Sequence, residues 1–131
     1  MKLKFHHIAI SVDDITKSEN FYSQILGFKK EKFYSDEKVK ICNLQLGRIK
    51  LELFEFKNKK SLPKYREKLE TDMEVMGVKH FAFTTDKFDN TYNKLKSSNI
   101  EIVRDITKGK TVKRYVFFKD PNGIMFEIIE E

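Results

Sequence analysis

Two short stretches of the chain carry a histidine in the same setting. In HHIAISVDD and KHFAFTTDK, His7 and His80 are each followed by a hydrophobic residue, an alanine, another hydrophobic residue and a hydroxyl residue. Two glutamates, Glu52 in LELFEF and Glu127 in MFEIIE, lie in apolar runs and are separated by nearly the same interval as the histidines. Imidazole nitrogens and carboxylate oxygens are common ligands of divalent metal ions. The four residues therefore predict one site for a divalent metal ion, with Ni, Zn, Co, Fe or Mn as candidates.

The alternation of residue types predicts a β-strand in each histidine stretch. One side of each strand is hydrophobic and suits packing against helices, whereas the other side carries the histidine followed by small residues that leave room for a ligand. A single histidine in a strand is more often a hydrogen-bonded structural residue than a metal ligand, and a glutamate on an edge strand commonly faces water. The symmetric placement of all four residues favours the metal site over these alternatives.

A helix is expected after each histidine strand. The first covers Ile15–Leu26, with Thr16-x-x-Glu19 as a candidate capping box and Gly27 as a left-handed helix end. In the second half Asn99 takes the place of Gly27, and the apolar stripe of the helix is formed by Phe88, Tyr92 and Leu95.

Three strand-like segments follow each helix, FKKEKFY, KVKICNLQLG and IKLELFEF in the first half and IEIVRD, TVKRYVFF and IMFEIIE in the second. The predicted fold class is α+β, with two tandem β-α-β-β-β modules forming a curved mixed sheet with a metal-binding trough. Module 1 spans about residues 3–56 and module 2 about residues 77–131. The connector, residues 57–76, is rich in charge, and a short helix is expected over Tyr65–Leu69.

The composition is that of a globular protein. Of the 131 residues, 40% are hydrophobic and 13% aromatic, which is enough for a packed interior. The chain starts without the apolar run of a signal peptide, and no segment reaches transmembrane length, so we expect no membrane association and a cytoplasmic location. The net charge is +6, but the lysines are mixed with acidic residues, which favours a solvated surface over a nucleic-acid partner. Cys42 is the one cysteine, which excludes an internal disulfide, and we expect it to be a small core residue.

A few further residues are candidates for contact with a substrate or can be set aside. An aromatic and basic set is equally compatible with a substrate pocket and with a core or surface role: Phe54, Phe56, Arg114 and Tyr115. Strand alternation directs His6 to the face opposite His7, so His6 is expected on the surface or in packing. The segment Asp120-Pro121-Asn122-Gly123 has ordinary β-turn chemistry and is given no catalytic role.

Five segments, HHIAISVDD, ENFYSQILGF, LELFE, GVKHFAF and FFKDPNGIMFEIIE, resemble in order the recurring motifs of the vicinal oxygen chelate superfamily. This superfamily has the fold of glyoxalase I, the bleomycin-resistance proteins and the extradiol dioxygenases. The resemblance covers nearly the whole chain and implies a single such domain over residues 1–131, a homodimer, a divalent metal ion and a small-molecule substrate. Because the fold hosts many reactions, the resemblance alone does not define the activity.

The ligand pattern favours one branch of that superfamily. The dioxygenases and the fosfomycin-type thiol transferases use two histidines and one glutamate, without a carboxylate on the fourth strand. Glu52 supplies that carboxylate here, as in glyoxalase I and the epimerases, and implies a lyase or isomerase similar to lactoylglutathione lyase. In that chemistry a proton moves next to a carbonyl through a metal-bound enediolate, with Glu127 or Glu52 as the base.

Two departures bear on the substrate. The glyoxalase I pattern has an arginine and an asparagine that help to hold glutathione, and Ser11 and Phe56 occupy those positions here. The resemblance therefore does not extend to glutathione. Two alternatives stay open: a fosfomycin-type thiol transferase, for which Glu52 is dispensable, and a metal-free binding module similar to the bleomycin-resistance proteins.

Overall fold

A four-stranded mixed sheet is the centre of each half of the chain. The computed structural model describes all 131 residues, and the chain divides into two compact units, Met1–Ser61 and Leu62–Glu131. The first unit contains, in order, β1 (His7–Ser11), α1 (Ile15–Asn20), a π-helical turn (Phe21–Ile25), β2 (Lys29–Ser35), β3 (Val39–Leu46) and β4 (Ile49–Phe56). The second contains a 3-10 turn (Lys64–Glu67), α2 (Leu69–Met73), β5 (Phe81–Thr84), α3 (Phe88–Ser97), β6 (Ile102–Lys108), β7 (Arg114–Lys119) and β8 (Met125–Glu130).

The two sheets share one topology. Their strand orders are β1-β4-β3-β2 and β5-β8-β7-β6. In each sheet the first strand is parallel to the last, and the other neighbours are antiparallel. The prediction of an α+β fold with two tandem β-α-β-β-β modules is confirmed, with one four-stranded mixed sheet in each unit.

The first helix begins differently from the prediction. The N-cap residue is Asp14, which has an extended backbone and accepts a hydrogen bond from the Lys17 backbone N–H at 3.0 Å. Thr16 lies inside the helix, so the predicted Thr16/Glu19 capping box is wrong. Aspartate is among the strongest N-cap residues and therefore takes this position. The helix then widens into a π-helical turn, which ends at Ile25 rather than Leu26.

The two helix ends agree with the prediction. Gly27 has a φ of 84° and Asn99 a φ of 58°, and Asn99 is the one non-glycine residue with a positive φ. A side chain with a Cβ is disfavoured in this left-handed region, and asparagine tolerates it better than most residues. The same backbone reversal therefore ends both helical segments and returns the chain to the sheet.

The face of the first sheet next to α1 forms the core of that unit. Tyr22, Leu44, Leu53 and Cys42 have no exposed surface, and the Tyr22 ring meets the Phe28 ring edge to face. Cys42 is buried and free, as expected for a small core residue. Burial raises the pKa of its thiol to about 11, and the charge of Glu19 adds to the shift.

The connector is partly helical and packs onto the second sheet. The expected helix over Tyr65–Leu69 is replaced by the 3-10 turn after Pro63 and by α2, which begins only at Leu69, because Lys68 between them is extended. Leu69 is 3% exposed and packs against Phe117 and Met125. None of the helices is long and apolar enough to cross a membrane.

Replacing Asp14 with alanine is expected to lower the free energy of unfolding by about 1 kcal/mol, because the Lys17 N–H loses its acceptor at the start of α1. Thr16→Ala is the matched control: Thr16 is exposed, and its loss should change the stability by no more than about 0.5 kcal/mol. Urea unfolding monitored by circular dichroism measures both. Equal losses in the two variants would contradict Asp14 as the cap.

Cys42 is expected to react with iodoacetamide at pH 8 at least about 100-fold more slowly in the native protein than in guanidinium, since a pKa near 11 leaves less thiolate and the side chain has no exposed surface. The unfolded chain ionises this thiol first as the pH rises. The stability that the neutral buried thiol contributes is therefore present below about pH 9 and is lost between about pH 9 and 11. Similar alkylation rates in both states would show that the thiol is accessible.

Candidate metal centre

In the first unit, His7 and Glu52 lie on the same face of the sheet. His7 is the first residue of β1, and the register of β1 against β4 places Ala9 opposite Glu52. Side chains two residues apart in a strand share a face, so the imidazole is diagonal to the carboxylate. His7 Nε2 is 3.8 Å from Glu52 Oε1, and the two side chains are 42% and 27% exposed.

The second unit repeats this arrangement. Ala82 lies opposite Glu127 in the parallel pairing of β5 and β8, and His80 precedes Ala82 by two residues. His80 Nε2 is hydrogen-bonded to Glu127 Oε2 at 2.9 Å, and the side chains are 20% and 16% exposed. In each unit the histidine therefore lies two residues before the alanine that is opposite the glutamate.

Packing encloses the His80–Glu127 pair. Phe117 is the register partner of Glu127, and the edge of its ring meets the His80 ring at a centroid distance of 4.8 Å. Leu69 packs against Phe117 from the connector. His80 Nδ1 is buried and has no hydrogen-bond partner. The ring of His80 is thus held by packing on one side and by the carboxylate on the other.

The His7–Glu52 pair has polar neighbours instead. His6 is exposed, as expected, but its Nδ1 lies 2.8 Å from His7 Nδ1, so the two rings are in contact instead of on opposite faces. His6 precedes β1, where strand alternation does not apply. Asn43 is the register partner of Glu52 on β3, and its Oδ1 atom is buried without a hydrogen-bond partner.

Each pair separately has a donor set that fits a divalent metal ion. Two ligand atoms at about 2.0–2.2 Å from one ion are at most about 4.4 Å apart, and the nitrogen–oxygen distances of 3.8 and 2.9 Å satisfy this limit. No group of three or more histidine, cysteine, aspartate or glutamate side chains is arranged to hold a metal ion. The structure therefore brings together His7 with Glu52 and His80 with Glu127, and a site of all four ligands stays a prediction.

Two of the predicted substrate residues lie on the same face as Glu52. The register of β3 and β4 continues this face through Phe54 and Phe56, whose rings stack at a centroid distance of 5.8 Å. Phe56 is 44% exposed. These two rings form an accessible aromatic surface beside Glu52.

Arg114 is placed elsewhere. Its guanidinium bonds to Glu130 at 2.5 Å and to Asp89 at 3.1 and 3.2 Å, and it lies over the Phe88 ring. These hydrogen bonds, with Glu130 the larger influence, raise the pKa of Arg114 above its usual value. Because Arg114 is the register partner of Glu130 and contacts α3, it lies on the face opposite Glu127. The structure does not bring its side chain to the histidine–glutamate pair.

A different arginine, Arg104, lies on the face of Glu127. It is the register partner of Phe117, and it donates hydrogen bonds to the Tyr115 hydroxyl at 3.3 Å and to Glu70 at 2.9 Å. These bonds raise its pKa. The register of β6 shifts on both sides of Arg104. Simple alternation along the sequence therefore could not predict that Arg104 lies on the face of Glu127.

The arrangement can be compared with known proteins. A family model described as the Glyoxalase/Bleomycin resistance protein/Dioxygenase superfamily matches residues 4–128. The chain belongs to this superfamily. Among its curated relatives, the uncharacterized protein YwkD of Bacillus subtilis is 35% identical over 129 residues, which cover 96% of this chain and 95% of YwkD.

Two further superfamily members show the range of the relatives. The metallothiol transferase FosB of Staphylococcus saprophyticus is 32% identical over 125 residues, with 94% of this chain and 74% of FosB covered. The crystal structure of a glyoxalase family protein from Enterococcus faecalis is similar with a TM-score of 0.81 at 25% identity, covering 97% of both chains. The superfamily fold is thus established, whereas the reaction depends on the residues of the site.

Proposed function

We propose that this superfamily member is a metal-dependent lyase or isomerase that transfers a proton next to a carbonyl group of a small oxygenated substrate. In this proposal His7, Glu52, His80 and Glu127 bind one divalent metal ion. The observation that supports it most directly is the repeated pair: Glu52 lies opposite Ala9 as Glu127 lies opposite Ala82. Glu52, the carboxylate that distinguishes the isomerase branch, therefore lies beside His7 as Glu127, the carboxylate common to all branches, lies beside His80.

The number of ligands connects this arrangement with the reaction. Four protein ligands leave two positions of an octahedral ion open, which suits a substrate that binds through two oxygens. The bound ion would supply a Lewis acid that polarises the carbonyl oxygen. Three ligands would leave more open positions, as oxygen chemistry or thiol transfer uses.

Glu127 is the carboxylate that we propose as the proton-transferring base. Its side chain is 16% exposed, against 27% for Glu52, so less water surrounds it. The contact of its Oε2 atom with His80 Nε2 at 2.9 Å and the packing of Phe117 on His80 restrict its orientation. A restricted, weakly hydrated carboxylate abstracts a carbon-bound proton more readily than a mobile one. Glu52 remains the second carboxylate that can carry the proton.

Phe54 and Phe56 would contact the substrate, because they form the exposed aromatic surface beside Glu52. Arg114 is left out of this proposal, since its guanidinium is bonded to Asp89 and Glu130 on the other face. The proposal retains a homodimer and a cytoplasmic location. Neither a membrane nor a nucleic acid is part of it.

Thiol transfer is the second candidate, and the 32% identity to FosB favours it. A thiol transferase would activate a thiol for attack on an electrophilic carbon and would use two histidines with one glutamate. Glu52 would then contribute little to metal binding. The two functions therefore differ in what happens when Glu52 loses its charge.

Metal titration of the wild-type protein and of Glu52→Gln distinguishes the candidates. We expect about one ion per chain, and a Kd at least about 10-fold higher in Glu52→Gln and in Glu127→Gln, because each variant loses a charged ligand. Glu55→Gln is the matched control: Glu55 is a neighbour on β4 that points to the other face and pairs with Lys40 and Lys59. Calorimetry and elemental analysis give the affinity and the stoichiometry.

Three results would contradict the proposal in different ways. Full metal affinity in Glu52→Gln, with loss in Glu127→Gln, would favour the thiol transferase. Two ions per chain would show that each pair binds separately. No metal in any variant would favour a binding module without a metal.

Solvent exchange is expected to report the proton transfer. The metal-loaded protein should exchange the carbon-bound proton of an α-hydroxy carbonyl substrate for deuterium in D₂O, as followed by proton NMR. With the metal ion at a concentration that saturates both proteins, Glu127→Gln should slow this exchange by about 10²–10⁴-fold, because the amide cannot act as the base. An unchanged exchange rate in Glu127→Gln would assign the base to another group.

A further inference from the structure

His6 and His7 contact each other through the same ring atom. The two Nδ1 atoms are 2.8 Å apart, and the rings meet edge to face with a centroid distance of 5.0 Å. At this distance one Nδ1 carries a proton and the other accepts it, because each neutral imidazole has one donor and one acceptor nitrogen. The contact therefore couples the tautomers of the two rings.

Metal binding by His7 requires one direction of this hydrogen bond. If His6 donated, His7 would carry its proton on Nε2, and the N–H would face Glu52 Oε1 at 3.8 Å, with no lone pair on that side for a metal ion. If His7 donates from Nδ1, its Nε2 presents a lone pair towards the carboxylate side. That lone pair is the form of histidine that binds a metal ion.

The second unit provides an internal comparison. The residue before His80 is Lys79, whose ammonium group bonds to the backbone oxygens of Asp72 and Val75. His80 Nδ1 has no hydrogen-bond partner, but its ring is held by Phe117 and Glu127 and is only 20% exposed. His7 is 42% exposed, with its Nε2 at a longer distance from the carboxylate. His7, the more exposed of the two histidines, is thus the one whose ring has a histidine neighbour that can orient it.

We propose that His6 is a positioning residue that accepts a hydrogen bond from His7 Nδ1 and holds His7 Nε2 as a lone-pair donor on the side of Glu52. The consequence for metal affinity rests on the function proposed above. A partner on the second nitrogen of a ligating histidine sets its tautomer and orientation, and its removal typically weakens metal binding by about 10–100-fold. His6 then sets the tautomer and orientation of His7 in the His7–Glu52 pair, which is the less enclosed of the two.

The test compares two replacements of His6 in the full chain. Asparagine can place Oδ1 near the position of Nδ1 and keeps an acceptor, whereas phenylalanine keeps a ring of similar shape without one. Lys4→Gln, at an exposed position in the same segment, is the control for changes near the N-terminus. Long-range proton–nitrogen NMR of the metal-free protein reports the tautomer of His7, with His80→Gln used for assignment.

We expect the Nδ1–H tautomer of His7 in the wild-type protein and in His6→Asn, and a mixture of tautomers in His6→Phe. Titration with Zn²⁺ and Ni²⁺ should give a Kd about 10–100-fold higher for His6→Phe and within about 3-fold of wild type for His6→Asn. An unchanged His7 tautomer together with unchanged affinity in His6→Phe would overturn the proposal, as would the Nε2–H tautomer in the wild-type protein.

The two readouts separate this proposal from the proposed function. If no variant binds a metal ion but His6→Phe alters the tautomer of His7, the orienting contact stands and the metal-dependent function fails. If the metal binds and Glu52→Gln weakens it while His6→Phe does not, the function stands and the positioning role of His6 is wrong. Both results are independent of any substrate.

Discussion

The parallel pairing of the first and last strands in each unit is the interaction on which the candidate centre depends. His7 and Glu52 are far apart in sequence, and they meet because β1 lies beside β4 with Ala9 opposite Glu52. A slip of the register by one residue would turn Glu52 to the helix side of the sheet and separate the pair. The apolar residues of the helix side, such as Leu53 and Leu44, oppose such a slip because it would expose them to water. Core packing therefore also sets the geometry of the pair.

Much of this arrangement could be predicted because the alternation of apolar and polar residues and the repeat of the β-α-β-β-β pattern indicate the same strands. Alternating residues indicate the face of each strand, and the second copy indicates which strands correspond, so the order of elements and the equivalence of the two pairs were accessible from the sequence. Contacts outside regular periodicity were not. His6 precedes β1, Arg104 lies between two register shifts, and Arg114 is directed to the helix side by Glu130 and Asp89. The cap at Asp14 was missed because Thr16 and Glu19 match the capping-box pattern, whereas the residue three positions after Asp14 is Lys17.

The two copies of the module differ in how they hold the same pair of groups. In the second unit the connector contributes Leu69, which packs with Phe117 and encloses the side chains near His80. In the first unit no such segment covers Phe56, and the neighbours of the pair are a histidine and an asparagine with a buried, unpartnered Oδ1. An enclosed carboxylate suits proton transfer, whereas an accessible aromatic surface suits substrate contact. In the proposed mechanism the second unit would therefore contribute the enclosed carboxylate and the first unit the accessible aromatic surface.

The superfamily fold alone does not select among these chemistries, and the choice rests on a single carboxylate. The scaffold presents one position on the last strand of each module, and in the branches of the superfamily that use three ligands the first of these positions lacks a carboxylate. A glutamate at position 52 places a carboxylate beside His7, on the same face of the sheet. Glu52 is only partly exposed, at 27%, and its 3.8 Å separation from His7 is too long for a hydrogen bond. A divalent cation bound by both side chains would connect two groups that are too far apart for a hydrogen bond, which is why the proposal treats Glu52 as a ligand rather than as a surface charge.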